Sequence, residues 1–360
     1  MNKNKIRVIS AVVSAIMLAS SASTFAKFDA YNDPDGFTLG HYEAEVNQEQ
    51  RAETEKLYEQ RPKNERQFEN LSRGLVAVPG ENGTLVSWRF LGTDSNSLAY
   101  NLYCSGEKLN DAPITTTNFF HTGASTNAEY TLKEVENGEE TGVEYTTTAW
   151  DKNYIGFKVT EREGYNIDDG AVADLDGDGE YEILLRRVPS MDVNTRTSYP
   201  VIEAYKTDGT HMWTIDIGPN EINEVDINFL AYDMDGDGKA EVIMRSFEGT
   251  TDGKGNITGD TNGDGITDYS KSESNLAIFK DRQYIVSTPE FLSIYDGETG
   301  EETDRTDLKP SKEPLSDWSY RYSDTGRLTK RASHYLFGLA YLDGVTPSVV
   351  MVRGAWDNVR

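Results

Sequence analysis

The sequence predicts an all-β protein: a small β-sandwich followed by part of a β-propeller. Three observations point there. Short alternating apolar segments, separated by Gly, Asn and Asp turns, fill residues 71–150. Two near-identical acidic loops, each running into a strand-like segment, lie at Asp174–Glu182 and Asp233–Glu241. Each loop is followed by a second strand-like segment ending in an Asp-Gly turn, so a small β unit is repeated.

Residues 1–26 read as a secretory signal, with basic Lys3, Lys5 and Arg7, an apolar run from Val8 to Leu18, and small residues before Ala26. That run is short for a membrane span, so a secreted, extracellular protein is expected. Residues 27–69 are polar and charge-dense with a thin apolar face, which suits a linker or a peripheral helix. Residues 70–152 carry six or seven short strands, among them Thr84-Leu-Val-Ser-Trp-Arg-Phe and Glu129-Tyr-Thr-Leu. An apolar Trp88 on an early strand suits a fibronectin type III-like sandwich. Cys104, the single cysteine, lies in an alternating segment and reads as a small core residue. No intrachain disulfide is available, so the core and bound metal must hold an exported domain together.

Residues 153–360 hold the loop-bearing repeats. The first loop places acids at positions 1, 3, 5 and 9: Asp174, Asp176, Asp178 and Glu182. The second does so with Asp233, Asp235, Asp237 and Glu241. The main-chain carbonyl at position 7, Glu180 or Lys239, adds a further oxygen. Hard oxygens on a flexible loop are what Ca²⁺ takes, and glycines at positions 4 and 6 permit the sharp turn. A third loop offers Asp260, Asn262, Asp264, the carbonyl of Ile266, and Asp268 at the same positions. At least two calcium sites are therefore expected, with the third loop as a further candidate. These are not EF-hands, because position 12 is Leu185, Met244 or Lys271 rather than Glu.

The formal charge of −26 opposes binding to nucleic acid or to anionic membranes, so neither is expected as a partner. A monomer is expected.

Several stretches resemble rhamnogalacturonan lyases of polysaccharide lyase family 11: Asn70–Asp94, Asp174–Ile183, Ala231–Met244, Gly249–Asp260, Pro289–Gly300 and Leu339–Gly354. They occur in order, over the first half or so of a family member. The resemblance implies an eight-bladed, calcium-rich propeller behind a small β-sandwich. It also implies β-elimination in the rhamnose–galacturonate backbone of rhamnogalacturonan I, an acidic plant cell-wall polysaccharide. The chain departs from the family where Arg186-Arg-Val-Pro-Ser190, Val225–Phe229, Arg245–Thr250, Lys330–Tyr335 and Ala355–Arg360 replace the usual motifs.

Elimination needs the C6 carboxylate neutralised, a base for the C5 proton, and an acid for the C4 oxygen. Arg186, Arg187, Arg245, Arg331, His334 and Arg353 are the candidate groups. Arg186 and Arg245 each lie 12 residues beyond the first Asp of a loop and so form an equivalent pair. The bland reading makes such arginines counter-charges to an acidic surface. No nucleophile constellation accompanies His334, and no carboxylate pair stands out for hydrolysis. The alternative function is a non-catalytic carbohydrate-binding or adhesion module that keeps the calcium scaffold.

Overall fold

Among the described residues strands dominate, and the few helices are short. The structure, a computed structural model, describes residues 27–32, 38–43, 66–123, 127–190, 198–221, 227–280, 282–355 and 359. The expected signal at 1–26 and most of the expected helical stretch, 44–65, lie outside these. The chain divides into two units, Met1–Gln67 with Tyr341–Pro347, and Phe68–Ala340 with Ser348–Arg360.

In the first unit, β1 (Lys27–Asn32) pairs antiparallel with β2 (Thr38–Glu43). Strands thus form where a linker or peripheral helix was the expectation. Cross-strand hydrogen bonds do not require a broad apolar face. In the same unit, Gln67 N–H donates to the Val345 carbonyl at 2.8 Å.

The second unit begins with seven strands: β3 (Val76–Gly80), β4 (Gly83–Ser87), β5 (Ala99–Cys104), β6 (Glu107–Lys108), β7 (Asn118–Thr122), β8 (Glu129–Glu136) and β9 (Glu139–Thr148). They make two antiparallel sheets, ordered β3-β4-β7 and β6-β5-β8-β9. Ala77 and Val86 of the first sheet share an apolar cluster with Tyr100, Leu102, Tyr130 and Leu132 of the second. Trp88 is 4% exposed and packs edge-on against Tyr100, with ring centroids 5.3 Å apart. Cys104 packs against the same cluster. One ionic knot interrupts it: buried Arg73 pairs with Asp94, and with Glu134 at 2.5 Å.

The next sheet runs in chain order through β10 (Tyr165–Ala173), β11 (Glu182–Pro189), β12 (Val201–Tyr205) and β13 (His211–Asp216). Its neighbour starts with β14 (Phe229–Tyr232) and β15 (Glu241–Phe247). An excursion then carries the third acidic loop and a hairpin of β16 (Leu276–Phe279) and β17 (Arg282–Ile285). The sheet resumes with β18 (Glu290–Tyr295) and β19 (Glu302–Asp307), giving the order β14-β15-β18-β19. Helix α1 (Thr325–Ser333) and the hairpin of β20 (Tyr335–Ala340) and β21 (Ser348–Arg353) follow.

The two four-stranded sheets share one core. Leu184, Ile202, Ala204 and Trp213 of the first meet Val242, Met244 and Tyr295 of the second. Every residue of β12 is buried, as an inner strand covered on both faces should be. No sheet closes on itself among the described residues. No helix among them is long and apolar enough to cross a membrane.

Candidate metal centres and their setting

The two acidic loops occupy the same place in the two sheets. Each connects the outer strand (β10, β14) to the next strand (β11, β15), with its ninth residue opening that strand. Asp174 accepts from Gly177 N–H and Gly179 N–H, both at 2.8 Å. Asp233 accepts likewise from Gly236 N–H at 2.6 Å and Gly238 N–H at 3.0 Å. Such a wrap needs left-handed backbone, and Gly179 and Gly238 supply it at φ +87° and +95°. The closing acid returns to position 2: Leu175 N–H donates to Glu182 and Met234 N–H to Glu241, both at 2.7 Å.

This geometry gathers Asp174, Asp176 and Glu182 so that one carboxylate oxygen of each lies within 4.8 Å of the others. Asp233, Asp235 and Glu241 do the same. Asp178 and Asp237 stand exposed at the rim. Burial pushes the Asp174, Glu182 and Asp233 carboxyls up. Glu241 is pushed up to about 7 by burial and by Asp235, Asp233 and Asp237. Concentrated negative charge of this kind is relieved by protons or by a cation. The donors are all hard oxygens, and Asp176 Oδ1 is buried without a hydrogen-bond partner. Both features fit a calcium ion. Bound there, it would cross-link each loop to the strand that its closing glutamate begins.

The third loop starts alike and ends differently. Asp260 accepts from Gly263 N–H at 2.6 Å and Gly265 N–H at 2.8 Å. Asp264 accepts from the Tyr269 hydroxyl at 2.8 Å, and Asn262 Nδ2 also donates to that oxygen. Asp268 caps a short 3₁₀ turn, accepts from Ser270, and pairs with Lys271 at 3.0 Å. Asp260, Asp264 and Asp268 are not among the acidic triads the fold assembles in the described residues. No strand follows this loop to carry position 9 back, and Ile266 is 43% exposed.

The first two loops also touch each other and the preceding β region. Ala240 N–H donates to the Asp174 carbonyl at 2.7 Å. A Cβ on Gly297 would lie 1.9 Å from the Ala240 carbonyl oxygen, so this seam accepts only glycine. Ser72 N–H donates to the Gly179 carbonyl at 2.8 Å, and the Ser72 hydroxyl donates to Glu180. Arg89 lies over the Tyr181 ring at 4.3 Å.

The arginines occupy a different setting. Arg186 pairs with Asp168 and donates to the Ile227 carbonyl, two residues before β14. Arg245 is 1% exposed, pairs with Glu221, and donates at 3.0 Å to the Ser333 carbonyl, two residues before β20. Each therefore reaches forward to the entry of the next β unit. Arg187 pairs with fully buried Glu203 at 3.0 Å. Arg353 is fully buried, bonds Glu290 at 2.6 Å, and donates to the Ala332 carbonyl at 2.5 Å. Arg331 lies on α1 over the Tyr322 ring, and His334 caps that helix. Arg186, Arg187, Arg245 and Arg353 are thus buried; the same periodicity that made them conspicuous places them inside the sheets.

Sequence reasoning overlooked three residues. Glu290 is buried among Arg353, Lys312 and Arg245, which outweigh the opposing effect of burial and hold its carboxyl below the ordinary range. Glu203 is held down likewise against burial by Tyr205, Arg187 and Arg162. Lys206 reaches the first loop, pairing with Asp176 and lying 3.4 Å from both Asp178 and Glu182. Aligning the strand ends after each loop would have flagged Lys206; nothing local marks the two glutamates. A cleft of about 350 Å³ lies beside Glu290, with Lys309, Lys312, Asn262 and Asp307 in its wall.

Known proteins give this architecture a family. Residues 66–150 match the rhamnogalacturonan I lyase β-sheet domain, and residues 156–359 match the C-terminal domain of rhamnogalacturonan lyase family 11. The chain is 38% identical to the rhamnogalacturonan endolyase YesW of Bacillus subtilis (strain 168) over 304 residues, covering 80% of this chain and 46% of that protein. It is 38% identical to the rhamnogalacturonan exolyase YesX of the same organism over 310 residues, covering 81% and 47%. The solved structure of YesX superposes with a TM-score of 0.67 over 81% of this chain and 48% of its own. A Bacillus licheniformis rhamnogalacturonan lyase superposes at 0.68 over 82% and 50%, also at 38% identity. The chain spans about half the length of the curated relatives it matches. By the match over residues 156–359, more than half of its length, the chain belongs to rhamnogalacturonan lyase family 11.

Proposed function

We propose that this chain carries the scaffold of an exported, calcium-stabilised polysaccharide lyase acting on the rhamnose–galacturonate backbone of rhamnogalacturonan I by β-elimination. The observation that carries the reading is the pair of oxygen-lined loops at equivalent places in two adjacent sheets of a family 11 chain. We read the first two sheets, residues 70–152, as the fibronectin type III-like sandwich, and residues 153–360 as part of a propeller. The apolar cluster between the two early sheets supports the first reading, and the four-stranded antiparallel order and shared core of the later two support the second. The names of the relatives supply the substrate class. The protein acts outside the cell, as a monomer, on an acidic polymer.

Calcium in the loops holds the sheets in register and neutralises their acids. The chain's own exposed cations then meet the polymer. An anionic sugar entering the cleft beside Glu290 meets Lys309, which is 64% exposed, rather than Arg186 or Arg245. Tyr154 and Tyr320 are exposed and suited to stacking on sugar faces, whereas Trp88, Trp213 and Trp318 belong to the core.

The burial of Arg186, Arg245 and Arg353 favours the second reading, a binding module without cleavage. The purified chain, mixed with rhamnogalacturonan I and calcium, separates the two. Elimination creates a C4–C5 double bond conjugated to the carboxylate, and ultraviolet absorbance rises; hydrolysis leaves it unchanged. A flat trace from folded, calcium-loaded protein that still co-sediments with the polymer would select the binding module.

A further inference from the structure

The two acidic loops are matched in ligands but not in surroundings. Ile183 and Val242, each nine residues beyond the first Asp of its loop, pair with Tyr205 and Tyr295 respectively. The next residue in each case is therefore structurally equivalent: Lys206 in the first sheet and Asp296 in the second. Lys206 directs its ammonium at the first loop, pairing with Asp176 and lying 3.4 Å from Asp178 Oδ2 and Glu182 Oε1. In the second loop, Lys239 turns outward to pair with Glu298. Asp296 is held in its own turn by Thr299, which donates from N–H at 2.8 Å and from its hydroxyl at 2.6 Å. One loop thus carries an internal cation, and the other has an extra acid at that position.

We propose that Lys206 is a built-in competitor for the cation of the first loop, making the two loops unequal calcium sites. This rests on the reading that both loops bind calcium. Asp176 Oδ1, buried without a partner beside the oxygen that Lys206 holds, leaves the first loop with a ligand atom still to be satisfied. An ammonium sharing the shell with a divalent ion repels it, and calcium affinity follows the net charge of the ligand set. The first loop therefore takes calcium only as Lys206 swings out, and the second takes it first. On chelation Lys206 returns and keeps the acids of the first loop neutralised.

Calorimetric titration of the full chain with calcium tests this. Asp233→Asn leaves the first loop to be read alone, and Asp174→Asn leaves the second. Adding Lys206→Met to Asp233→Asn removes the charge while keeping the stem, and should tighten calcium binding about tenfold or more. Lys206→Arg in the same background should hold the weaker affinity. In the Asp174→Asn background, Lys206→Met should change nothing measurable. Calcium uptake that is unaltered or weakened by Lys206→Met in the Asp233→Asn chain overturns the inference alone. Failure of both single Asp variants and of the parent chain to take up calcium overturns the calcium reading, and this inference with it.

Discussion

The two halves of the second unit bury charge in different ways. Between β3 and β9 the buried polar groups Thr84, Asn101 and Asn110 are neutral, and among the described residues the buried charge there is the Arg73 knot. From β10 onward, buried ions recur at each seam: Arg186 with Asp168, Arg187 with Glu203, and Arg245, Arg353 and Lys312 around Glu290. Beside them lie two loops of clustered acids. An apolar core is insensitive to pH and to ions. A seam built from ion pairs and acid loops depends on both, because a buried charge left without its partner is costly. The early sheets should therefore behave as ordinary packed β structure, and the later sheets as a structure assembled by charge.

Glu290→Gln should break this contrast most severely. It leaves Arg245, Arg353 and Lys312 without their shared carboxylate and should cost about 3–5 kcal/mol, read from urea unfolding. A loss confined to a few tenths would mean that solvent already compensates these cations.

Acid should come next. Glu290 and Glu203 have lowered pKa values in the fold, so the unfolded chain binds protons at higher pH than the folded chain does. The stability they contribute is complete above the ordinary glutamate value of 4.5 and is lost as pH falls through the lowered folded values. Melts at pH below 4.5 should show the later sheets giving way before the Trp88 environment changes, followed by fluorescence of the two regions separately.

The smallest effect should be at the third loop. Asp268→Asn removes only a turn cap and an exposed pair with Lys271, and should shift stability by no more than about 0.5 kcal/mol and calcium stoichiometry not at all. A lost calcium equivalent would restore the third loop as a site.

Much of this was legible in the sequence. Alternation and turn residues marked the strands from Val76 to Thr148, and the acidic pattern marked Asp174, Asp176, Glu182 and their counterparts. Two short-range signals acquire a setting in the fold that the sequence did not reveal. The shared turn at Asp260 suggested a third site, yet Tyr269 and Ser270 draw its acids aside because no strand follows. The 12-residue spacing of Arg186 and Arg245 suggested a grip on substrate, yet in the sheets it directs both side chains to the next unit. The Lys206 contact and the Glu290 knot join residues far apart in the chain, and only the fold brings them together.

We propose that the later sheets are held by cations in their loops and the earlier ones are not. Amide hydrogen exchange of the full chain, with calcium and with chelator, tests it most directly. Chelation should lower protection most in β14 and β15 and less in β10 and β11, where Lys206 takes the place of the ion, while β3, β4, β5 and β8 keep theirs. Equal protection in both conditions, or equal loss across both regions, would contradict it.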